Sequence, residues 1–536
     1  MITMLLVSMV SSPNLYAEES PATAMPEIEA LLAKNTFDDT ETAIGKMAEL
    51  RSATALDVLS HMMERDIYLR TSDNKPVIAI EKDDAYHARS IDGKEDYGVV
   101  DINDYDKLRL NNRLRRTIRE AMATLRLYSA DAEVRLTALK EMQKNITIEN
   151  LPELQQVLST EQHPKVKAAL QTAINLAEIG SPDSATRLKA AEALGNKTSP
   201  LAKNRLSLLL QKDSEGKFTE PDEAVRAAAN KAIASIDSRL QLVHLGETVF
   251  FGVSLGSVLL LSAIGLAITF GVMGVINMAH GELMMIGAYT TYVMQLLLPN
   301  DIGASLILAI PAAFIVSGLF GIAIERGVIR FLYGRPLETL LATFGLSLIL
   351  QQLVRNIFSP LNRSVSTPEW MSGSWQISDA LSLTLNRMYI VVFALVVFAV
   401  LMLVMKKTLL GLQVRAVAQN RQMARAMGVR TSWVDALTFG LGSGIAGIAG
   451  VALSQLTNVG PNLGQAYIVD SFMIVVFGGV GNLWGTLVGA MSLGVANKFL
   501  EPWSGAVLAK ILVLVFIILF IQKKPLGLFP QKGRSS

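Results

Sequence analysis

The fold of this chain turns on FGVMGVINMAHGELMMIGAYTTYVMQ, residues 270–295. It is apolar enough to lie in a bilayer, yet Gly271, Gly274 and Gly281 interrupt it, and Asn277, His280 and Glu282 fall within one short turn region. Hydrocarbon offers no partner to an unpaired backbone group, so such a break must be buried in protein or face a water-filled cavity. Two readings are open: a broken segment that lines a path for solute, or a polar loop between two ordinary spans. Both make this a membrane protein.

Composition agrees and divides the chain. Of 536 residues, 51% are hydrophobic and 18% charged, with a mean hydropathy of +0.36. Acidic residues are sparse after Leu245 and dense before it, so a soluble domain precedes a membrane domain, with residues 238–244 as the linker. A net charge of +2 without a long basic run argues against a nucleic-acid partner. The absence of cysteine excludes a disulfide framework, a thiolate metal site and a cysteine nucleophile. His87, near Asp83 and Asp84 but with no second His or Cys, reads as a solvated histidine rather than a metal ligand. Gly45-Lys46, Gly93-Lys94 and Gly216-Lys217 lack the spacing of a phosphate-binding loop. Neither a cofactor nor an enzymatic activity is expected.

Residues 1–17 read as a secretory signal, a short apolar run at 1–10 with cleavage expected after Ala17 or later at Ala22-Thr23-Ala24, although no Lys or Arg precedes it. From residue 26 to about 70, apolar residues recur at spacings of three and four and predict short helices; residues 75–100 alternate and predict a small hairpin or two, within an exported segment of residues 18–110. From 111 to 244 a phrase repeats: DAEVRLTALKEM from Asp131, HPKVKAALQTAI from His163, SPDSATRLKAAEAL from Ser181 and PDEAVRAAANKAI from Pro221. Each starts with a cap or Pro and continues as an Ala/Leu-rich helix, which predicts a HEAT-like α-solenoid or a plain helical bundle.

Residues 245–536 hold the predicted spans: 248–271, 282–298, 302–324, 337–357, 388–405, 433–456, a pair between 467 and 500, and 506–521. The pair is interrupted at Gly478, Gly479, Gly481 and Gly485 and reads as two crossings or a re-entrant hairpin. Lys and Arg cluster at 326–335, 406–430 and 523–534, which assigns those loops and the C-terminus to the cytoplasm and the N-terminal domain to the outside. The expected fold is therefore all-α: a polytopic helical membrane domain preceded by an exported helical repeat domain with a small β element.

Gly440, Ser443, Gly444, Ala446, Gly447 and Gly450 predict close helix packing. GVINM from Gly274 and GVGNL from Gly479 each place Asn after a glycine-interrupted run, as an internal repeat about a translocation path would. The loop 406–433 predicts a short amphipathic helix, with Val414, Val417 or Ala418, Met423, Ala424 and Met427 apolar, Arg415, Arg421 and Arg425 basic, and Gly428 as its stop. It suits anionic lipid or a groove on a cytoplasmic partner. With only Glu282 and Asp470 expected near membrane depth, proton or sodium coupling is disfavoured. Asn277, Asn458 and Asn482 are amide candidates for solute contact; Glu282 is expected to cap its own helix.

GVINMAHGELMMIGAY, GLQVRAVAQNRQMARAMGV from Gly411, FGLGSGIAGIAGVAL from Phe439 and FGGVGNLWGTLVGA from Phe477 resemble the permease subunits of ATP-binding-cassette importers for branched-chain amino acids and their urea-transporting relatives. The resemblance implies a permease of the bacterial inner membrane that receives solute from a periplasmic binding protein, pairs with a second related permease, and is driven by two cytoplasmic ATPase subunits. It implies docking of those subunits on the loop carrying Gly411, Arg415, Ala418, Arg421, Ala424, Met427 and Gly428. The long N-terminal extension is similar to that of the urea type, which makes urea the expected solute and a branched-chain amino acid the alternative. A passive channel and a membrane-anchored scaffold are the readings from other classes.

Overall fold

The computed structural model describes residues 21–82, 85–212, 214, 216–378 and 380–529. The signal-peptide expectation at residues 1–17 lies outside them. Two compact units emerge, Met1–Arg239 and Leu240–Ser536.

The first unit opens with α1 (Pro21–Leu32), α2 (Phe37–Glu49) and α3 (Ala53–Glu64). Thr36 and Ser52 cap α2 and α3 by accepting hydrogen bonds from the Asp39 and Ala55 N–H groups, which would otherwise lack partners. Ile28, Leu32, Ile44, Met47, Leu59 and Met62 form the buried face. Helical periodicity stops earlier than expected, because Arg65 adopts a left-handed conformation (φ 69°) and turns the chain into a strand. Residues 75–100 hold two antiparallel hairpins, as their alternation predicts, inside a larger sheet. An antiparallel five-stranded sheet has the order β4-β3-β2-β1-β5, with β1 Ile67–Arg70, β2 Pro76–Lys82, β3 Ala85–Ser90, β4 Asp96–Val100 and β5 Tyr105–Lys107. Its central strand β2 buries Val77, Ile78 and Ala79 consecutively, so one run serves cores on both faces. His87 is exposed on β3.

The helices α4 (Asn112–Arg126), α5 (Ala132–Met142), α6 (Leu151–Thr160), α7 (Pro164–Glu178), α8 (Ser184–Gly195) and α9 (Pro200–Leu209) come next, and α10 (Glu223–Met273) begins. Three of the four repeated phrases share one device. Asp131, Asp183 and Asp222 each accept backbone N–H bonds at the next helix start. Arg135, Arg187 and Arg226, four residues on, each donate through Nη1 to a pair of carbonyls just before that start. Arg135 and Arg187 also clamp Glu161 and Glu220 with two nitrogens each. The phrase at His163 has Lys167 in place of the arginine and no side-chain cap. Residues 238–244, read as a linker, are helical within α10: their Ala/Leu-rich lead-in and the absence of Gly or Pro before Gly246 leave nothing to stop it.

In the second unit α10 continues to Met273, followed by α11 (His280–Leu297), α12 (Ile302–Gly327), α13 (Pro336–Phe358), strands β6 (Ser374–Ser378) and β7 (Leu381–Thr384), α14 (Leu385–Lys407), α15 (Leu409–Gln419), α16 (Arg421–Ala426), α17 (Thr431–Ser454), α18 (Leu463–Gly478) and α19 (Leu483–Lys523). Among the described residues six helices are long and apolar enough to cross a membrane. The uncertain pair is α18 and the first part of α19, which meet where Gly478 and Gly485 touch backbone to backbone. At 16 residues, α18 reaches only about 24 Å. Gly505 (φ 78°, ψ 163°) breaks α19 into two pieces.

The expected small-residue packing is present on α17. Gly440, Gly444 and Gly447 meet α12 at Gly318, Phe314 and Ala313, whereas Gly447 and Gly450 meet α11 at Gly287 and Met284. A Cβ at Gly287, Gly447 or Gly450 would strike backbone, so glycine sets the helix separation. With α12 and α17 against it, α11 is buried continuously from His280 to Tyr289.

Candidate translocation site

The two interrupted stretches are built alike. Gly274 ends α10 at φ +66°, its N–H bonding to Phe270 O, and Gly479 ends α18 at φ +104°, its N–H bonding to Val475 O. Both conformations disfavour any side chain. Beyond each glycine, an asparagine accepts backbone N–H bonds: Asn277 Oδ1 from Ala279 N at 3.0 Å, just before α11, and Asn482 Oδ1, as the cap of α19, from Trp484 N at 3.0 Å and Gly485 N at 3.2 Å. The breaks also lie side by side, since a Cβ on Gly271 would come within 2.5 Å of Gly481 Cα. The paired GVINM and GVGNL phrases thus share a left-handed glycine and an asparagine three residues on, although Gly481 (φ +79°) in the second has no left-handed counterpart at Ile276 in the first.

The first break is buried and polar. His280, fully buried, donates from Nε2 to Ser262 O at 3.0 Å and has no partner at Nδ1. Asn277 Nδ2 is likewise buried without a partner. Glu282 does not cap its own helix. Its Oε1 accepts from Ser347 Oγ at 2.9 Å and Gln351 Nε2 at 2.8 Å, both on α13, while Oε2 is buried and unpaired. Geometry overrides the expectation: the α11 cap position belongs to Ala279, and the Glu282 side chain points across to the neighbouring helix. Thr343, one turn before Ser347, accepts from Met278 N at 3.1 Å.

These α13 partners were not among the expected site residues, although their signal is in the sequence. Thr339, Thr343, Ser347 and Gln351 recur every four residues in α13 and are all buried, whereas its other polar residues, Glu338, Gln352, Arg355 and Asn356, lie near its ends and off that stripe. A polar stripe of this period on a span marks a face turned inward. Asn458 and Asn482 stand apart from this cluster. The first is exposed in the loop after α17; the second caps α19 and donates from Nδ2 to Phe529 O.

Buried carboxylates are more numerous than expected, because Glu325 and Asp435 join Glu282 and Asp470. Glu325 lies one residue beyond the predicted 302–324 span and Asp435 just inside the start of the predicted 433–456 span, and each is near a helix end packed against another element. Asp470 lies 3.2 Å from Lys510 Nζ. Asp435, fully buried near the start of α17, binds Arg421 of α16 through both carboxylate oxygens. The Arg421 guanidinium also lies over the Tyr333 ring, 4.6 Å from its centroid. Burial and the neighbouring carboxylates push the Tyr333 phenol well above its usual range.

The loop 406–433 is two helices rather than one, with a break at Asn420, whose Oδ1 caps α16 through Met423 N. Val414, Val417 and Ala424 are buried with Val434, but Met423 and Met427 are exposed and do not continue that face. The break at Asn420 rotates α16 relative to α15, so one amphipathic face cannot span both. Nor is the basic face free: Arg421 is paired inward, Arg425 donates to Thr431, and Arg415 donates to the Met405 carbonyl. Gly411 is buried against Met405, Ala418 is half-buried, and Gly428 (φ +86°) stops α16 as expected.

The family model for the branched-chain amino acid transport system / permease component matches residues 248–521. The chain belongs to this family. This permease is 30% identical over 298 residues to the high-affinity branched-chain amino acid transport system permease protein LivH of Escherichia coli K12, covering 54% of the present chain and 96% of the relative. It is 29% identical over 301 residues, with the same coverage, to BraD of Pseudomonas aeruginosa, described as a permease protein of the same kind of system. A shorter match, 28% over 113 residues, covers 20% of this permease and 35% of the ribose import permease protein RbsC of Haemophilus influenzae. No solved structure matches. The relatives are transport permeases rather than enzymes, and the matched region of this permease holds its membrane-spanning helices.

Proposed function

We propose that the chain is the membrane-spanning permease subunit of an ATP-driven importer for a branched-chain amino acid. The observation that carries this reading is the family match over residues 248–521, with relatives aligned over 96% of their length. The path runs beside α11, whose buried break brings Asn277, His280 and Glu282 opposite the polar stripe of α13. Asn482 caps α19 at the second break, and Asn458, in the exposed loop after α17, stays out of the path. ATP is hydrolysed by two cytoplasmic subunits that dock on the loop from Gly411 to Gly428, where exposed Leu412, Met423 and Met427 form an apolar surface. A second, related permease completes the bundle and a periplasmic binding protein delivers solute. The protein spans the bacterial inner membrane, with the N-terminal HEAT-like unit in the periplasm and the C-terminus in the cytoplasm.

Urea is the second reading, favoured by one specific observation. Beside the Glu282 carboxylate and the His280 imidazole, the buried polar groups at the break include the amides of Asn277 and Gln351 and the hydroxyls of Thr343 and Ser347, which suit a small neutral solute. Uptake of labelled leucine and labelled urea in cells with and without the gene, each with the other as competitor, separates the two. Gene-dependent leucine uptake untouched by urea supports the amino acid; the reverse supports urea.

A further inference from the structure

Between the second break and the loop helix α15 lies a cavity of about 320 Å³. Its walls are apolar: Ala267 and Ile268 of α10, Met402 and Met405 of α14, and Val414 of α15. Its rim is cationic. Lys406 and Arg415 are the charged residues lining it, and no Asp or Glu does. Both side chains are exposed, and among the described residues neither forms an ion pair. Arg415 Nη1 donates to the Met405 carbonyl, which fixes the guanidinium at the rim. Trp484, 54% exposed, closes one side with its ring edge-on to Phe398, centroids 5.4 Å apart.

We propose that this cavity binds an anionic phospholipid, its phosphate between Lys406 and Arg415 and the start of an acyl chain against Met402 and Ile268. An apolar slot between spans, closed at the interface by two unpaired cations and a tryptophan, matches each part of such a lipid in turn. The volume falls in the range of a small-molecule site and suits a headgroup with the first methylenes. A zwitterionic headgroup has no net charge to offer the rim, so the site selects phosphatidylglycerol over phosphatidylcholine. The bound lipid would touch both Asn482 at the break and α15 on the loop, bracing the two against each other.

The test uses the full chain, purified in detergent. Lipid retention is read by native mass spectrometry, and thermal unfolding is followed with phosphatidylglycerol, phosphatidylcholine or inorganic phosphate added. Retention of phosphatidylglycerol over phosphatidylcholine on the order of tenfold is expected, lost in K406Q/R415Q and kept in K523Q/K524Q. A second variant, Ala418→Trp, fills the cavity from α15 while leaving both cations, and is expected to lose the same preference. Equal retention of both lipids overturns the proposal, as does a preference that survives both variants. Stabilisation by inorganic phosphate equal to that by phosphatidylglycerol assigns the rim to a free anion and overturns it too. A dimer that K406Q/R415Q dissociates, without lipid preference, assigns the cavity to a second copy of the chain and likewise overturns the proposal.

Discussion

Arg421 on the loop helix α16 and Asp435 near the start of α17 form a two-point ion pair whose carboxylate is fully buried and whose guanidinium lies over Tyr333. The pair ties the segment proposed to meet the ATPase subunits to a helix at the centre of the bundle. Removing one partner strands a charge, which costs about 2 kcal/mol here because Arg421 is partly exposed. Arg421→Ala and Asp435→Asn are each expected to lower the melting temperature and the solute moved per ATP hydrolysed, and the double variant to lose less than the sum. A double-mutant coupling near zero would mean that the pair transmits nothing between loop and bundle.

Glu282 bridges α11 to α13 and has one carboxylate oxygen without a partner. Glu282→Ala should reduce uptake tenfold or more with normal membrane insertion, and Gln351→Ala should follow it more weakly. Asn458→Ala, in an exposed loop, should leave uptake within twofold. Equal effects at Glu282 and Asn458 would remove the α11–α13 face from the path.

Glycine packing makes a prediction with an internal control. Gly287→Ala places a methyl against the Gly447 backbone and should destabilise the bundle by about 1–3 kcal/mol. Gly345→Ala meets nothing within 4 Å and should stabilise α13 by up to about 1 kcal/mol. Thermal melts in one detergent compare the two; a gain at Gly287 would contradict the close approach.

In the first unit the Arg187 guanidinium holds the buried Glu220 carboxyl below its ordinary value of 4.5. A depressed carboxylate contributes stability that is fully present above that value and is lost as pH falls through the lower, folded one. Glu220→Gln should therefore cost about 2–3 kcal/mol at pH 7 and progressively less in acid. Unfolding of the full chain between pH 7 and 3 checks this; a gap independent of pH would contradict it.

The spans were legible because hydropathy over about 20 residues needs no tertiary information. The matching breaks were legible too, since glycine and asparagine at the same offset mark both. What stayed hidden depends on partners distant in sequence. Glu282 reads as a cap until Gln351, 69 residues later, binds its Oε1, and Asp435, inside the predicted 433–456 span, has no visible partner until Arg421 folds back onto it. The α13 stripe was present as a four-residue period and was masked by the hydropathy around it. Strand β1 was lost inside a helical pattern because a single left-handed residue, Arg65, ends that pattern.

The most direct test reconstitutes the chain with its partner permease, the two ATPase subunits and the binding protein in liposomes, and follows labelled leucine with and without ATP on the ATPase side. An ATP-driven permease predicts accumulation that needs both ATP and this chain, and that falls when Met423→Asp/Met427→Asp disrupts the exposed loop surface. Equal flux without ATP would make the chain a passive channel, and accumulation without the chain would reduce it to a scaffold.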